Sequence, residues 1–153
     1  MRLNALLTGY LAGVSTLAEF PTLPDELLYR RPAEDAWSAA EVIHHLADAE
    51  VFYSVVYRRV LLERQPSLEA WDDQRASGAM HYRERALINA VGTITALRHD
   101  NVDMFAALSP AQWRRTAIHP DQGSMSLREL VLMATDYLGD RLSQARRAVN
   151  GVP

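Results

Sequence analysis

Apolar residues recur at intervals of three and four along most of the chain, which is the spacing of one face of an α-helix. Four segments have this pattern. The predicted helices run from about Leu3 to Glu19, from Ser38 to about Arg64, from roughly Tyr82 to Ala107, and from Ser126 to about Val149. No stretch alternates apolar and polar residues for long enough to predict a β-strand.

Capping boxes mark the start of two of these helices. In a capping box, the serine hydroxyl accepts a hydrogen bond from the backbone N–H of the glutamate, and the glutamate side chain accepts one from the backbone N–H of the serine. Ser38 with Glu41 and Ser126 with Glu129 have the required spacing. Pro66 ends the second helix, since proline cannot continue a helical hydrogen-bond ladder.

The connections carry further signals. The long connection between the first and second helices begins at Pro21, and Ser109-Pro110-Ala111-Gln112 predicts a short helical turn. His119-Pro120-Asp121-Gln122-Gly123 predicts a reverse turn before the fourth helix. Leu68 and Trp71, after the second helix, are expected to pack on the end of the bundle or to cover a pocket.

Together these elements predict the fold class. Four amphipathic helices cannot each bury an apolar stripe alone, so they are expected to pack around a common core. With 153 residues, 48% of them hydrophobic, the chain has the size and composition of one domain. We therefore predict a single all-α domain over residues 1–153, a four-helix bundle with a long first connection and a short extra helical turn before the last helix.

Composition narrows the function classes. The chain has no cysteine, which excludes disulfides, thiolate metal sites and a cysteine nucleophile, and fits a reducing compartment. Its net charge is -3, and its basic residues, all arginine, are scattered, which disfavours nucleic-acid binding. No apolar run is long enough to cross a bilayer, and no signal-peptide core is present. A cytoplasmic protein without nucleic-acid or membrane partners is expected.

Polar residues on predicted apolar faces are the functional candidates, because each must be hydrogen-bonded, paired or ligating to offset its desolvation. On the second helix, His45 falls on the apolar stripe and His44 points away. The position suits either a hydrogen-bonded core histidine or a ligand. On the third helix, Arg98 lies near the middle of the stripe with Asn101 close to it. Structural pairing and anion binding are both open for Arg98.

The fourth helix adds two candidates. Tyr137 and Arg141 flank its apolar stripe and can reach the interior or its edge, although Arg141 could instead extend to solvent. Asp136 and Asp140, four residues apart, would suit a metal with His45. They lie on the opposite face from the apolar stripe, so we predict that both are solvated.

The segment Trp37-Ser38-Ala39-Ala40-Glu41-Val42-Ile43-His44-His45-Leu46-Ala47-Asp48-Ala49-Glu50 resembles the helix-two signature of the DinB-like superfamily, which includes bacillithiol-transferase-like and maleylpyruvate-isomerase-like proteins. The resemblance extends over nearly the whole chain. Its further points are Arg98, Leu108, His119-Pro120, Gly123, Ser126 and Gln144.

This resemblance implies the bundle fold and a divalent metal held by three histidines, one in helix two and two spaced i, i+4 in helix four. His45 occupies the first position, but Tyr137 and Arg141 stand where the other two histidines are expected. A guanidinium has no lone pair to give a metal. The sequence therefore predicts that the head of Arg141 lies where relatives keep the metal, with Tyr137 and His45 beside it and Asp48 as counter-ion.

Three hypotheses follow. The first is a metal-free DinB-like protein that binds a small, anionic ligand or serves as a stress-response scaffold, with a pocket formed by His45, Asp48, Arg98, Tyr137 and Arg141. The second is a metal-dependent thiol S-transferase or hydrolase in which His45 still helps to hold zinc, nickel or manganese. The third is a metal-free enzyme with His45 as general base. The resemblance also implies a homodimer.

Overall fold

The computed structural model describes residues 2–70 and 73–153, without the side chain of Gln74, so Trp71 lies outside the described residues. The helices are α1 (Leu3–Leu11), α2 (Val14–Leu17), α3 (Asp25–Leu28), α4 (Ala39–Leu62), α5 (Asp73–Ala79), α6 (Leu87–Ala106), α7 (Pro110–Trp113) and α8 (Leu127–Val149), with a 3-10 turn at Phe20–Thr22. The strands are β1 (Thr116–His119) and β2 (Gly123–Ser126).

The predicted all-α four-helix bundle is confirmed, with α1, α4, α6 and α8 as its members. Helix α4 packs against α6 and α8, and α1 packs against the same two helices. Two apolar clusters fill the interior along the bundle, one around Ile43, Ile94 and Leu138 and the other around Tyr57 and Phe105. Across the described ranges, no helix is long and apolar enough to span a membrane.

The capping boxes form as the sequence predicts. Glu41 accepts the backbone N–H of Ser38 at 2.9 Å, and Glu129 accepts that of Ser126 at 2.7 Å. The short turn expected at residues 109–112 is α7, which has a capping box of its own. Because these contacts are local in sequence, they could be predicted from residue type and spacing alone.

The first predicted helix is broken, which corrects its expected course to Glu19. Helix α1 ends at Leu11, and α2 begins at Val14 after Gly13, whose φ is +89°. A Cβ atom at Gly13 would lie 2.8 Å from Cδ1 of Leu142 on α8. The left-handed backbone at this position favours glycine, and a larger residue would also have to displace the Leu142 side chain.

A β-hairpin stands where no strand was predicted. Strands β1 and β2 pair antiparallel, with Thr116 opposite Ser126 and His119 opposite Gly123. Each strand has four residues, which is too short for an alternating pattern to be recognised. The expected turn at residues 119–123 is the hairpin turn, and Gly123 has a φ of +71°. Helix α5 was also missed, and the third long helix begins at Leu87 rather than at Tyr82.

Candidate functional site

A cavity of about 320 Å³ opens between α4, α5, α8 and the hairpin turn. Its lining residues are His45, Ala49, Phe52, Tyr53, Glu69, Ala70, Asp73, His119, Pro120, Asp121 and Tyr137. A second cavity of about 510 Å³ lies next to it, lined by Asp35, Ala36, Trp37, Asp73, Arg141 and Gln144. Asp73 belongs to both linings, so its carboxylate marks the boundary between the two cavities.

His45 is fully buried at the inner wall of the first cavity. Its Nε2 atom lies 2.5 Å from the hydroxyl oxygen of Tyr137 and 3.5 Å from Oδ1 of Asp73. Burial lowers the pKa of His45, the charge of Arg141 lowers it further, and the carboxylates of Asp73 and Asp48 oppose both effects. The imidazole is therefore neutral at neutral pH, with one ring nitrogen able to accept a hydrogen bond.

Tyr137 is half-buried on α8 and faces both His45 and Arg141. Burial raises the pKa of Tyr137, and the guanidinium of Arg141 opposes part of that rise. The phenol therefore keeps its proton at neutral pH. A protonated phenol beside a neutral imidazole forms a hydrogen bond that needs no charge on either partner.

Arg141 is held in the site from three sides. Its Nη1 atom donates to Oε1 of Gln144 at 2.7 Å, and its Nη2 atom lies 3.5 Å from Oδ2 of Asp73. Its Cζ atom is 4.9 Å from the ring centre of Tyr137, within the range of a cation–π contact. The side chain is 27% exposed, so it does not extend freely into solvent.

The structure brings His45, Tyr137 and Arg141 together, as the sequence predicts, but separates Asp48 from them. Asp48 pairs with Arg85, whose Nη1 atom donates to it at 3.0 Å, and it lines neither cavity. The counter-ion of Arg141 is Asp73 instead. This corrects the expectation that Asp48 is the counter-ion of Arg141. Helical spacing predicted the height of Asp48 on α4, but it could not predict that Arg85, distant in the chain, would pair with it.

Arg98 also lies outside the site. Its side chain is 1% exposed, donates from Nε to Glu50 at 2.9 Å and from Nη2 to the carbonyl oxygen of Ala134 at 2.9 Å, and also donates to the carbonyl oxygen of Tyr10. Asn101 is buried beside it and donates to the hydroxyl oxygen of Tyr10 at 3.1 Å. Of the two alternatives left open for Arg98, structural pairing is the one observed.

Two further expectations concern helix faces. His44 was expected to point away from the apolar stripe. It lines neither of the two cavities described above, but it is buried and its Nε2 atom is 3.0 Å from the carbonyl oxygen of Arg85. The segment before α6 covers it, which helix periodicity could not show. Asp136 and Asp140 are exposed, as predicted.

Sequence reasoning missed Asp73, which is the residue that joins the two halves of the site. It begins α5, a seven-residue helix with too few apolar positions to form a recognisable stripe. His119 and Asp121 were read as turn residues, and both line the first cavity. The His119-Pro120 pair in the family resemblance was the one available signal for this part of the wall.

The residues present do not fit the divalent metal that the resemblance implies. Of the three expected ligand positions, only His45 carries a nitrogen lone pair for a metal. Within residues 2–70 and 73–153, no three His, Cys, Asp or Glu side chains are arranged to hold a metal ion. The Arg141 guanidinium, 3.5 Å from the Asp73 carboxylate, already supplies the positive charge at this point.

Comparisons with known proteins agree on the fold. A family model described as the DinB superfamily matches residues 12–145. The solved structure of YfiT from Bacillus subtilis, described as "a probable metal-dependent hydrolase with an unusual four-helix bundle topology", superposes with a TM-score of 0.88 at 15% sequence identity, covering 97% of this chain and 86% of that one. At this identity, the likeness concerns the fold alone.

A curated relative from Oceanobacillus iheyensis carries the name "Putative metal-dependent hydrolase". It is 29% identical over 91 residues, which is 60% of this chain and 52% of the relative. The chain thus spans about half the length of the curated relative it matches.

Proposed function

Because the chain belongs to the DinB superfamily and yet places a guanidinium among the family's metal-ligand positions, we propose that it is a small-molecule-binding member whose site works without a metal ion. The observation that carries the proposal is the cluster of His45, Tyr137, Asp73 and Arg141, in which Arg141 stacks on Tyr137 and pairs with Asp73. A guanidinium has no lone pair to give a metal, so Arg141 cannot act as a ligand at a position where the resemblance expects one.

The position of this cluster supports binding rather than a purely structural role. The cluster forms part of the walls of two adjoining cavities, and the first, at about 320 Å³, falls within the range of ligand pockets, roughly 300–1,000 Å³. Arg141 keeps 27% of its side chain exposed. A cluster that served packing alone would be expected in the core, where buried polar groups are fully satisfied.

The charge of the lining changes the expected ligand. An anionic ligand was expected because of Arg141, but Asp73 already offsets the charge of that guanidinium. Among the described residues, those that line the first cavity include the acidic residues Glu69, Asp73 and Asp121 and no arginine. A cation is therefore favoured over an anion in this cavity.

The rest of the lining suits an apolar body. Phe52, Tyr53 and Tyr137 are among the lining residues, and burial raises the pKa of Tyr53 to about 12, which keeps its phenol uncharged. Aromatic faces attract cations as well as apolar groups. We therefore infer that the ligand is a protonated amine carried on an apolar or aromatic body.

A matched series of probes tests this proposal. We expect 3-phenylpropylamine to bind more tightly than the neutral 3-phenylpropanol, and 3-phenylpropanoate to bind most weakly, in titrations followed by ¹H–¹⁵N NMR. Asp121→Asn should weaken amine binding by roughly tenfold, which corresponds to about 1.4 kcal/mol. Asp140→Asn, which removes an exposed carboxylate that lines neither cavity, is the matched control and should leave the affinity unchanged.

Two outcomes would contradict the proposal. Tighter binding of the carboxylate probe would show that the charge argument is wrong. If none of the three probes shifts the NMR signals of the residues that line the cavity, the cavity is not a site for this class of ligand.

A metal-dependent hydrolase is the second candidate, and the names of the two relatives favour it. Its requirement is a tightly bound metal held by His45 and further ligands. The expected homodimer, the scaffold role and the cytoplasmic location stay predictions.

A further inference from the structure

Glu41 has more partners than a helix cap requires. Its side chain is fully buried and accepts the backbone N–H of Ser38 at 2.9 Å, which completes the capping box. It also accepts from Nε of Arg31 at 3.0 Å, from a second nitrogen of Arg31, and from the hydroxyl of Ser77 at 2.7 Å. The carboxylate thus joins the start of α4 to the preceding connection and to α5.

The contact between Ser77 and Glu41 lies one helical turn away from the contact between Asp73 and His45 inside the site. Asp73 and Ser77 are four residues apart on α5, and Glu41 and His45 are four residues apart on α4, so each pair lies on one face of its helix. Ser77 contacts Glu41, and Asp73 lies 3.5 Å from His45. The two helices therefore run antiparallel along this face and are joined by two contacts one helical turn apart.

Helix α5 buries little apolar surface among the described residues. It has seven residues, and those with described side chains include only two buried ones, Ala76 and Ser77. A helix this short is not stable by itself in water, and the methyl group of Ala76 buries little apolar area. The hydrogen bond from Ser77 to a fully buried carboxylate is therefore a large share of what fixes α5 on α4.

We propose that Glu41 is a positioning residue of the site: through Ser77 it fixes α5 on α4 and so places Asp73 between His45 and Arg141. Glu41 lines neither cavity, so its effect on the site is indirect. The effect on ligand affinity rests on the proposed function, whereas the placement of α5 does not.

Hydrogen–deuterium exchange tests the placement without any ligand. Ser77→Ala removes the hydroxyl donor and leaves the capping box of Ser38 intact. We expect backbone exchange in residues 73–79 to rise by about tenfold, the loss of one hydrogen bond to a charged group. Exchange in the interior of α4 and α8 should not change. Ser77→Thr keeps a hydroxyl and should restore slow exchange.

Ser143→Ala is the matched control, because Ser143 is exposed and its hydroxyl donates within its own helix, to the carbonyl oxygen of Gly139 at 3.0 Å. Unchanged exchange of α5 in the Ser77→Ala protein would overturn the proposal. So would a rise that spreads equally over α4 and α8, since it would mean general destabilisation rather than the release of one helix.

A double-mutant cycle then links the placement to the site. If Glu41 and Ser77 act through Asp73, Ser77→Ala should weaken 3-phenylpropylamine binding in the native background and have no further effect in the Asp73→Asn background. Additive losses in the two backgrounds would overturn the positioning role. An exchange increase without amine binding by any variant would leave the placement of α5 established and refute the proposed function instead.

Discussion

Two arginines point inward from different helices, and they differ in how fully their charge is satisfied. Arg98 is 1% exposed and donates to Glu50, Tyr10 and Ala134, which lie on three other helices of the bundle. Arg141 is 27% exposed, donates to a neighbour on its own helix and faces Asp73 at 3.5 Å. One guanidinium crosslinks the core, and the other stands between two cavities.

This difference distinguishes Arg98, which has a structural role, from Arg141, which belongs to the candidate site. Each of the three guanidinium nitrogens of Arg98 donates within the fold, the side chain is 1% exposed, and the network ties α1, α4, α6 and α8 together. Arg141 donates one short hydrogen bond to Gln144 on its own helix, and its carboxylate partner, Asp73, lies beyond ordinary hydrogen-bond distance at 3.5 Å. In the sequence, both residues were predicted to point inward and could not be distinguished. In the structure they differ in exposure and in how many guanidinium nitrogens donate a hydrogen bond.

The largest effect is expected at Arg98. Arg98→Met leaves the Glu50 carboxylate buried without its cation, which should lower the free energy of unfolding by about 3–5 kcal/mol. Urea denaturation followed by circular dichroism measures this loss. Adding Glu50→Gln should recover part of it, because the second substitution removes the uncompensated charge.

Arg141→Met is the matched control for the same measurement. Its side chain is partly exposed and loosely paired, so the change in stability should stay within about 1 kcal/mol. Equal losses at the two positions would mean that Arg141 is a core residue like Arg98 and that the contrast between them is false.

A smaller loss of stability is expected on acidification, when Glu41 becomes protonated. Burial by itself would raise the pKa of Glu41, but hydrogen bonds from Arg31, Ser38 and Ser77 outweigh it and lower the pKa to about 2. Because the folded-state pKa lies below the ordinary value of 4.5, this carboxylate contributes stability above pH 4.5 that is lost as the pH falls toward about 2. Glu41→Gln should therefore flatten the dependence of Tm on pH in that window.

Glu129, the capping-box glutamate of α8, is the control for this measurement. Hydrogen bonds from Ser126 lower its pKa, but it is exposed and has no arginine partner among its hydrogen bonds to residues 2–70 and 73–153. Glu129→Gln should flatten the same profile less than Glu41→Gln does. A larger effect at Glu129 would contradict the role assigned to Glu41.

The sequence predicted those parts of the fold that depend on local spacing. The capping boxes at Ser38 and Ser126 and the stripes of α4 and α8 follow from residues three and four apart. The break at Gly13, where φ is +89°, was missed because the apolar spacing continues across it from Leu11 to Val14. The hairpin was missed because four-residue strands carry too little periodicity.

The site was predicted only where helix register determines it. His45, Tyr137 and Arg141 meet because α4 and α8 pack together at the expected heights. Asp73 was missed because α5 has too few apolar positions to form a recognisable stripe, and because its contact with α4 joins residues 36 apart in the chain. The contacts that the sequence did not predict join residues that are brought together by tertiary packing rather than by helical spacing.

Measuring the metal content of the native protein and of the Tyr137→His/Arg141→His variant shows whether the site works without a metal ion. The variant removes the guanidinium and restores histidines at i, i+4 opposite His45, a spacing that suits zinc. Both proteins would be prepared without an affinity tag, incubated with zinc, dialysed and analysed by mass spectrometry. We expect the native protein to retain far less than equimolar zinc and the variant to retain close to equimolar zinc. Equimolar, tightly held zinc in the native protein would contradict this expectation.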